Sequence, residues 1–296
     1  VTTTSAYLLV ENNLSRYQTT TADEPAVQTA SAYYAANIGK VKSVSDFVNN
    51  YRLLSYALDA YGLGDQINSK ALITKVLEGG VVNPKSLANT LSDSRWKAFA
   101  EAFDFGDLGV GVTAAISSSS AIQTTESKYV EQQLESDQGQ RDVGVQLALY
   151  FQRVAPTVAN AYGILADPNL LEVVQTIFGL SPNSASNVDA GAAQISKLMP
   201  ISDLQDPTKL KQLTERFTAM YDLDYGPTSG ASSSLTVSGG NEASSTGGLA
   251  ASSILASVIT SNGQAIGAAL NSSNKSPALL FSNSLLRSLQ SFKLGG

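Results

Sequence analysis

The chain has 296 residues, an apolar fraction of 43% and a formal net charge of −6, which is enough to build a real hydrophobic core without covalent staples. It contains neither cysteine nor histidine, so disulfides, thiolate metal sites, cysteine nucleophiles and the commonest neutral-pH general base are all excluded. Acidic balance without a lysine or arginine cluster removes the electrostatic footprint of a nucleic-acid binder, and no apolar run approaches the roughly 20 residues that span a bilayer.

The first predicted element is an amphipathic helix. Tyr7, Val10, Leu14 and Tyr17 form a heptad-like stripe within a start, VTTTSAYLLVENNLS, that lacks the basic leader and cleavage site of a secretory signal. Two roles suit such a stripe: packing on the chain's own core, or pairing with a partner helix.

The next stretch carries an internal likeness. Tyr33 to Leu63 aligns without gaps on Tyr150 to Leu180, about 117 residues further on. Val41 falls on Val158, Phe47-Val48 on Ile164-Leu165, Leu53-Leu54 on Leu170-Leu171, and Tyr61-Gly62-Leu63 on Phe178-Gly179-Leu180. Asn50 and Asp167 share a slot where a helix N-cap is expected, Gly62 and Gly179 one where a helix C-terminal glycine is expected, and Pro168 suits the first helical position. In the first copy Phe47, Tyr51, Leu54, Leu58 and Tyr61 predict one apolar helical face.

Beyond the aligned block, Asn83-Pro84 matches Asp206-Pro207, and each pair is expected to open a short helix carrying Leu87 or Leu210. Phe99 and Phe103 then answer Phe217 and Tyr221. Trp96 reads as a core residue rather than a binding patch. Gly106-Asp107-Leu108-Gly109-Val110-Gly111 reads as a loop, since no βαβ unit frames it as a phosphate cradle. Ser117 to Val154, polar and glutamine-rich, reads as a loop leading into a long helix. Residues 226–248, rich in Ser and Gly, read as a flexible linker, and Phe281, Leu285, Leu289 and Phe292 predict a last amphipathic helix.

The expected organisation is therefore an N-terminal helical segment (1–32), a first helical repeat (33–111), a connecting loop and helix (112–149), a second repeat (150–225), the linker (226–248) and a C-terminal helical segment (249–296). No segment alternates with period two over strand length, so the fold class is all-α, a multi-helix bundle from two diverged tandem repeats.

Reactive constellations are sparse. Ser94 to Lys97 and Ser272 to Lys275 match the S-x-x-K spacing of penicillin-recognising enzymes, but no S-D-N or K-T-G accompanies them, and the solvated-face reading prevails. Asp203 with Asp206, Glu131 with Glu135, and Asp222 with Asp224 are carboxylate pairs that could serve acid–base roles or hold a hard cation; none forms a recognised metal loop. No catalytic, cofactor-binding or metal residue is assigned. The residues set down as an interaction surface are Tyr7, Val10, Leu14, Tyr17, Phe281, Leu285, Leu289 and Phe292.

Several stretches together resemble a known family: SVSDFVNNYRLLSYALDAYGLGD, KVLEGGVVNPKSLANTLSDSRWKAFAEAFDFG, YFQRVAPTVANAYGILADPNLLEVVQTIFGL, LQDPTKLKQLTERFTAMYDL and the closing LLRSLQSFKLGG. They are similar to the bacterial domain-of-unknown-function family numbered 1217, with Gly79-Gly80-Val81-Val82 departing from a more polar pattern. The resemblance implies an alphaproteobacterial protein associated with flagellar gene clusters, and no catalytic residues. Three functions follow as expectations. The first is a non-catalytic flagellum-associated structural or interaction protein with protein partners. The second is a cytosolic scaffold or regulator receiving a partner helix between the repeats, and the third an enzyme with an unrecognised carboxylate, lysine or tyrosine site. Localisation is cytoplasmic or exported through the flagellar apparatus.

Overall fold

The structure, a computed structural model, describes residues 1–181 and 186–226. The linker after Gly226, the stripe Phe281, Leu285, Leu289 and Phe292, and Ser272 to Lys275 lie outside the described residues. Within them every regular element is a helix, so the chain is all-α.

In chain order the helices are α1 (Thr3–Glu11), α2 (Leu14–Ala22), α3 (Pro25–Ile38), α4 (Val44–Asn49), α5 (Tyr51–Ala60), α6 (Lys70–Gly79), α7 (Leu87–Thr90) and α8 (Ser94–Phe103). Then come α9 (Phe105–Leu108), α10 (Val112–Ile116), α11 (Ser119–Gly139), α12 (Val143–Val154), α13 (Ala161–Ala166), α14 (Pro168–Phe178), α15 (Val188–Leu198) and α16 (Pro207–Tyr225). They bury two hydrophobic cores. The first draws on α3 to α10 and is aromatic at its centre, with the Phe47 ring 4.8 Å from Phe103 and Phe99 5.0 Å from Phe103. Trp96 belongs to this core. The second is largely aliphatic, built from α12 to α16 around Val173, Val174, Ile177 and Phe217, and it also takes Tyr7 and Val10 from α1.

The aligned stretches share their local chemistry. Ser43 caps α4 by accepting the Asp46 N–H, and Asn160 caps α13 by accepting that of Gly163. One helix later Asn50 accepts from Leu53 N–H, and Asp167 accepts from Asn169 and Leu170. One or two of the orphan N–H groups in each first turn thereby find a side-chain partner. Gly62 and Gly179 both turn left-handed, at φ 71° and 62°, and the next residue's N–H closes onto the carbonyl five positions back, Leu63 to Leu58 and Leu180 to Gln175. Packing follows the same plan: α3 on α5, α4 on α5 and α4 on α6 in one half, α12 on α14, α13 on α14 and α13 on α15 in the other. Replacing Ser43 or Asn160 by alanine is expected to lower stability by about 1 kcal/mol each. Urea unfolding midpoints check this, and unchanged midpoints would show that water caps these helices equally well.

Four local expectations need correction. The stretch expected as a loop after Ser117 contains α11, 21 residues long. Ser118 caps it, and its buried positions include Thr125, Glu135 and Gln138, so its inward face is too polar to produce an apolar stripe. It packs against α2, α3, α5 and α12, so it bridges both halves. Phe47 and Tyr51 do not share a helix face: Asn50 adopts an extended conformation between α4 and α5, and Tyr51, first in its helix, is 64% exposed. Asn83-Pro84 lies in a turn, with α7 starting after Ser86, whereas Asp206-Pro207 opens a helix of 19 residues. Gly106 to Leu108, expected as loop, falls in the short helix α9. Its Asp107 carboxylate accepts the N–H groups of Val81 and Val82 at 2.7 and 3.0 Å, because Gly106 lets the backbone at Glu78 and Gly80 approach too closely for any Cβ.

Candidate functional site

The two halves meet at a buried polar junction. Arg95, near the start of α8, holds Asp93 in a two-pronged pair, with Nη2 2.8 Å from Oδ2 and Nε 3.0 Å from Oδ1. Its Nη1 donates to the carbonyl of Gly62 at 2.7 Å and to the Tyr150 hydroxyl at 3.2 Å. Tyr150, on α12, passes its own proton donation to the Asp167 carboxylate at 2.5 Å, and that carboxylate lies 3.5 Å from Arg95 Nε. Asp167 thus caps α14 and answers the arginine of the other half. Arg95 is 12% exposed and Asp167 2% in their side chains, and Asp93, the nearer carboxylate, shares the guanidinium with Asp167. Burial opposes the Arg95 charge, but the bonds to Asp93 and the nearby Tyr150 and Asp167 oxygens hold the guanidinium more firmly protonated than usual. Burial and the Asp167 charge push the Tyr150 phenol well above its ordinary value, so it stays neutral and keeps donating.

A second polar cluster sits on α11 and α12. Arg153 makes a fork to Glu135, Nε to Oε1 at 2.5 Å and Nη2 to Oε2 at 2.8 Å, and also donates to Gln132. Burial raises the Glu135 carboxyl above the ordinary range while Arg153 pulls it back. The pair lies in an open cleft of about 250 Å³, shared with Leu14 and Gln18 of α2, Glu131 and Leu134 of α11, and Leu149 and Gln152 of α12. The Arg153 guanidinium also stands 5.2 Å over the Tyr150 ring, which links this cluster to the junction.

The residues expected as an interaction surface separate. α1 and α2 are distinct helices broken at Asn12-Asn13, so the heptad stripe is not continuous. Tyr7 and Val10 are buried in the second core, at 0% and 2% exposure, and cannot face a partner while α1 is seated. Leu14, 38% exposed, borders the cleft, and Tyr17 is partly buried against the second core.

The other candidates resolve into structural roles. Ser94 Oγ is 3.0 Å from Thr157 Oγ1, and Lys97 pairs with Glu101 on the surface, so no serine–amine couple forms there. Asp206 caps α16 and Asp203 holds Lys209. Asp222 accepts the Thr3 and Thr4 N–H groups, tying the start of α1 to the end of α16. Among the described residues no group of three or more His, Cys, Asp or Glu side chains could hold a metal ion, and no helix is long and apolar enough to cross a membrane. Sequence reading missed Arg95 and Tyr150 at the junction and Arg153 in the second cluster. The single available signal was that Tyr33 and Asn50, whose side chains lie 3.5 Å apart, align with Tyr150 and Asp167.

Comparison with known proteins places the chain. The family model described as "Protein of unknown function (DUF1217)" matches residues 60–210. The X-ray crystal structure of protein AGR_C_984 from Agrobacterium tumefaciens shares 39% sequence identity and a TM-score of 0.67, with 76% of this chain and 97% of that chain covered. The chain belongs to the DUF1217 family. No curated protein matches it. The DUF1217 match runs from Ala60 at the end of α5 to Leu210 in α16, so it contains both arms of the junction, Arg95 with Asp93 and Tyr150 with Asp167.

Proposed function

We propose that this DUF1217 protein is a non-catalytic, flagellum-associated structural or interaction component, and that its two halves descend from one copied helical unit. The observation that carries the non-catalytic reading is the Arg95–Asp93–Tyr150–Asp167 junction. Its largely buried charges are engaged with one another and with helix ends, which is how charges are used to hold elements in register rather than to meet a substrate. The shared caps, glycine turns and helix pairings support the copied-unit reading. The flagellar association rests on the family resemblance. Its test is fractionation of motile cells of the source bacterium. The protein is expected in sheared flagella or basal bodies, and swimming should suffer when its gene is deleted; recovery from cytosol alone together with normal swimming would overturn the assignment.

A second reading draws on the open cleft between α2, α11 and α12, whose apolar wall of Leu14, Leu134 and Leu149 suits a side chain of a partner helix. In that case the protein is a cytosolic scaffold, and it stays in the soluble fraction of flagellated and flagella-less strains alike.

A further inference from the structure

The first 24 residues divide into an anchor and a tether. The anchor is α1, which buries Thr3, Tyr7 and Val10. At its start the N–H groups of Thr3 and Thr4 donate to Asp222 of α16 at 2.6 and 3.1 Å, and the Thr4 hydroxyl donates to the same carboxylate at 2.9 Å. The Thr3 hydroxyl donates to Asp142, the N-cap of α12, at 3.0 Å. A carboxylate facing these first N–H groups also meets the positive end of the helix. Gly144 makes room, since a Cβ there would stand 2.6 Å from Thr3 Cγ2 and from the Tyr221 ring. The seat between α12 and α16 is therefore shaped for the pattern Thr-Thr-x-x-Tyr-x-x-Val.

The tether is different. Residues 12–16 are exposed, and within α2 Thr21 is the one buried residue. The tether also crosses between cores: α1 completes the second, while α3, which follows α2, builds the first. The second core thus depends on a helix joined to the rest of the chain through an exposed stretch at residues 12–16, beyond which α2 packs against α11.

We propose that α1 is an exchangeable helix, and that the seat between α12 and α16 also receives α1 of a second copy, so that each chain completes its neighbour's second core. Every contact of the seat is the same whether α1 arrives from its own chain or another, so exchange requires no new interface. The two arrangements differ in the path of the tether alone. Asn12-Asn13, already a break between helices, is where that path changes direction. Because the intramolecular arrangement enjoys the higher effective concentration, the exchanged form grows as protein concentration rises. The proposal stands on this geometry and not on the flagellar assignment, so cross-linking and cell fractionation can fail independently.

The absence of cysteine makes the test clean. Lys211 on α16, exposed, lies 3.8 Å from Glu11 at the end of α1, whose side chain is 20% exposed and also accepts from Gln152. Full-length Glu11→Cys and Lys211→Cys chains are purified separately, mixed at a series of concentrations and treated with a short bis-maleimide. A chain carrying both substitutions, cross-linked within itself, verifies that the seat is formed. Exchange is expected to yield a mixed covalent dimer whose share rises several-fold with concentration, and light scattering of the unmodified protein should show the mass moving toward two chains. Mixed dimer no more abundant than that from Glu11→Cys with Lys97→Cys, whose lysine sits on α8, would overturn the proposal. So would a scattering mass that stays at one chain throughout.

Discussion

Replacing Arg95 by alanine is expected to lower the unfolding free energy by about 3–5 kcal/mol, the range seen when one partner of a buried ion pair is removed. The size follows from what is left behind. Asp93 and Asp167 would face each other across a space that a small side chain cannot neutralise, and Asp167, 2% exposed, has no route to water. The Gly62 carbonyl would lose its guanidinium donor, and Tyr150 would keep its bond to Asp167 while losing the donor that supports its oxygen. Arg95→Lys should recover part of the loss, since it restores the charge but not a fork reaching Asp93, Gly62 and Tyr150 together. Because the junction joins the two cores, the alanine variant is also expected to unfold in two separated steps where the parent unfolds in one, read from urea titrations followed by far-ultraviolet circular dichroism and by Trp96 fluorescence of the first core. Asp167→Ala, alone and with Arg95→Ala, completes a double-mutant cycle with an expected coupling of about 2 kcal/mol. Additive losses would mean that the two residues act separately and that the junction is not a unit.

Alkali is expected to unfold the protein steeply. Tyr34, Tyr56 and Tyr150 are buried, and burial is the largest cause holding each phenol far above the ordinary value of 10.0. Tyr34 and Tyr56 stack at 4.6 Å, and Tyr56 stacks on Tyr129 of α11 at 4.0 Å, so ionising one would place a phenolate inside an aromatic column. The sign is fixed by which state binds protons. A phenol whose folded value is raised contributes stability that is whole below pH 10, where both states are protonated. That stability is lost as pH climbs, because the unfolded chain releases protons that the folded chain retains. Each such phenol removes about 1.4 kcal/mol per pH unit, so these three together remove about 4 kcal/mol per unit above pH 10. Tyr7 and Tyr221, raised in the same direction by burial, steepen the fall. A domain of ordinary stability, about 5–15 kcal/mol, then unfolds within a few pH units. Unfolding followed by circular dichroism should coincide with a sharp, cooperative rise in phenolate absorbance. A gradual phenolate titration with the helix signal intact would show these tyrosines open to solvent.

What each element demanded of its neighbours decides how legible it was. The caps at Asn50 and Asp167 and the glycine turns at Gly62 and Gly179 act within three to five residues, so residue type and spacing alone announced them. The apolar positions of α14 repeat along one face because one face is buried, and Leu170, Val173, Val174 and Ile177 could be read as that face. α11 defeated the same reasoning. It lies between two cores and meets one of them through Glu135 and its ion pair with Arg153, so a helix of 21 residues carries no apolar stripe to count.

The helical class, the paired caps, the glycine stops and the lack of thiol and imidazole chemistry follow from composition or from neighbours within a turn or two of backbone, and so were legible before any fold was known. Long-range packing was needed to see that Tyr7 and Val10 complete the second core, that Asp222 receives Thr3 from 219 positions away, and that Arg95 meets Asp167 and Tyr150. A charge or a hydroxyl leaves no periodic mark of the partner it will find. Its role appears when folding removes water from around it and supplies one specific group in water's place.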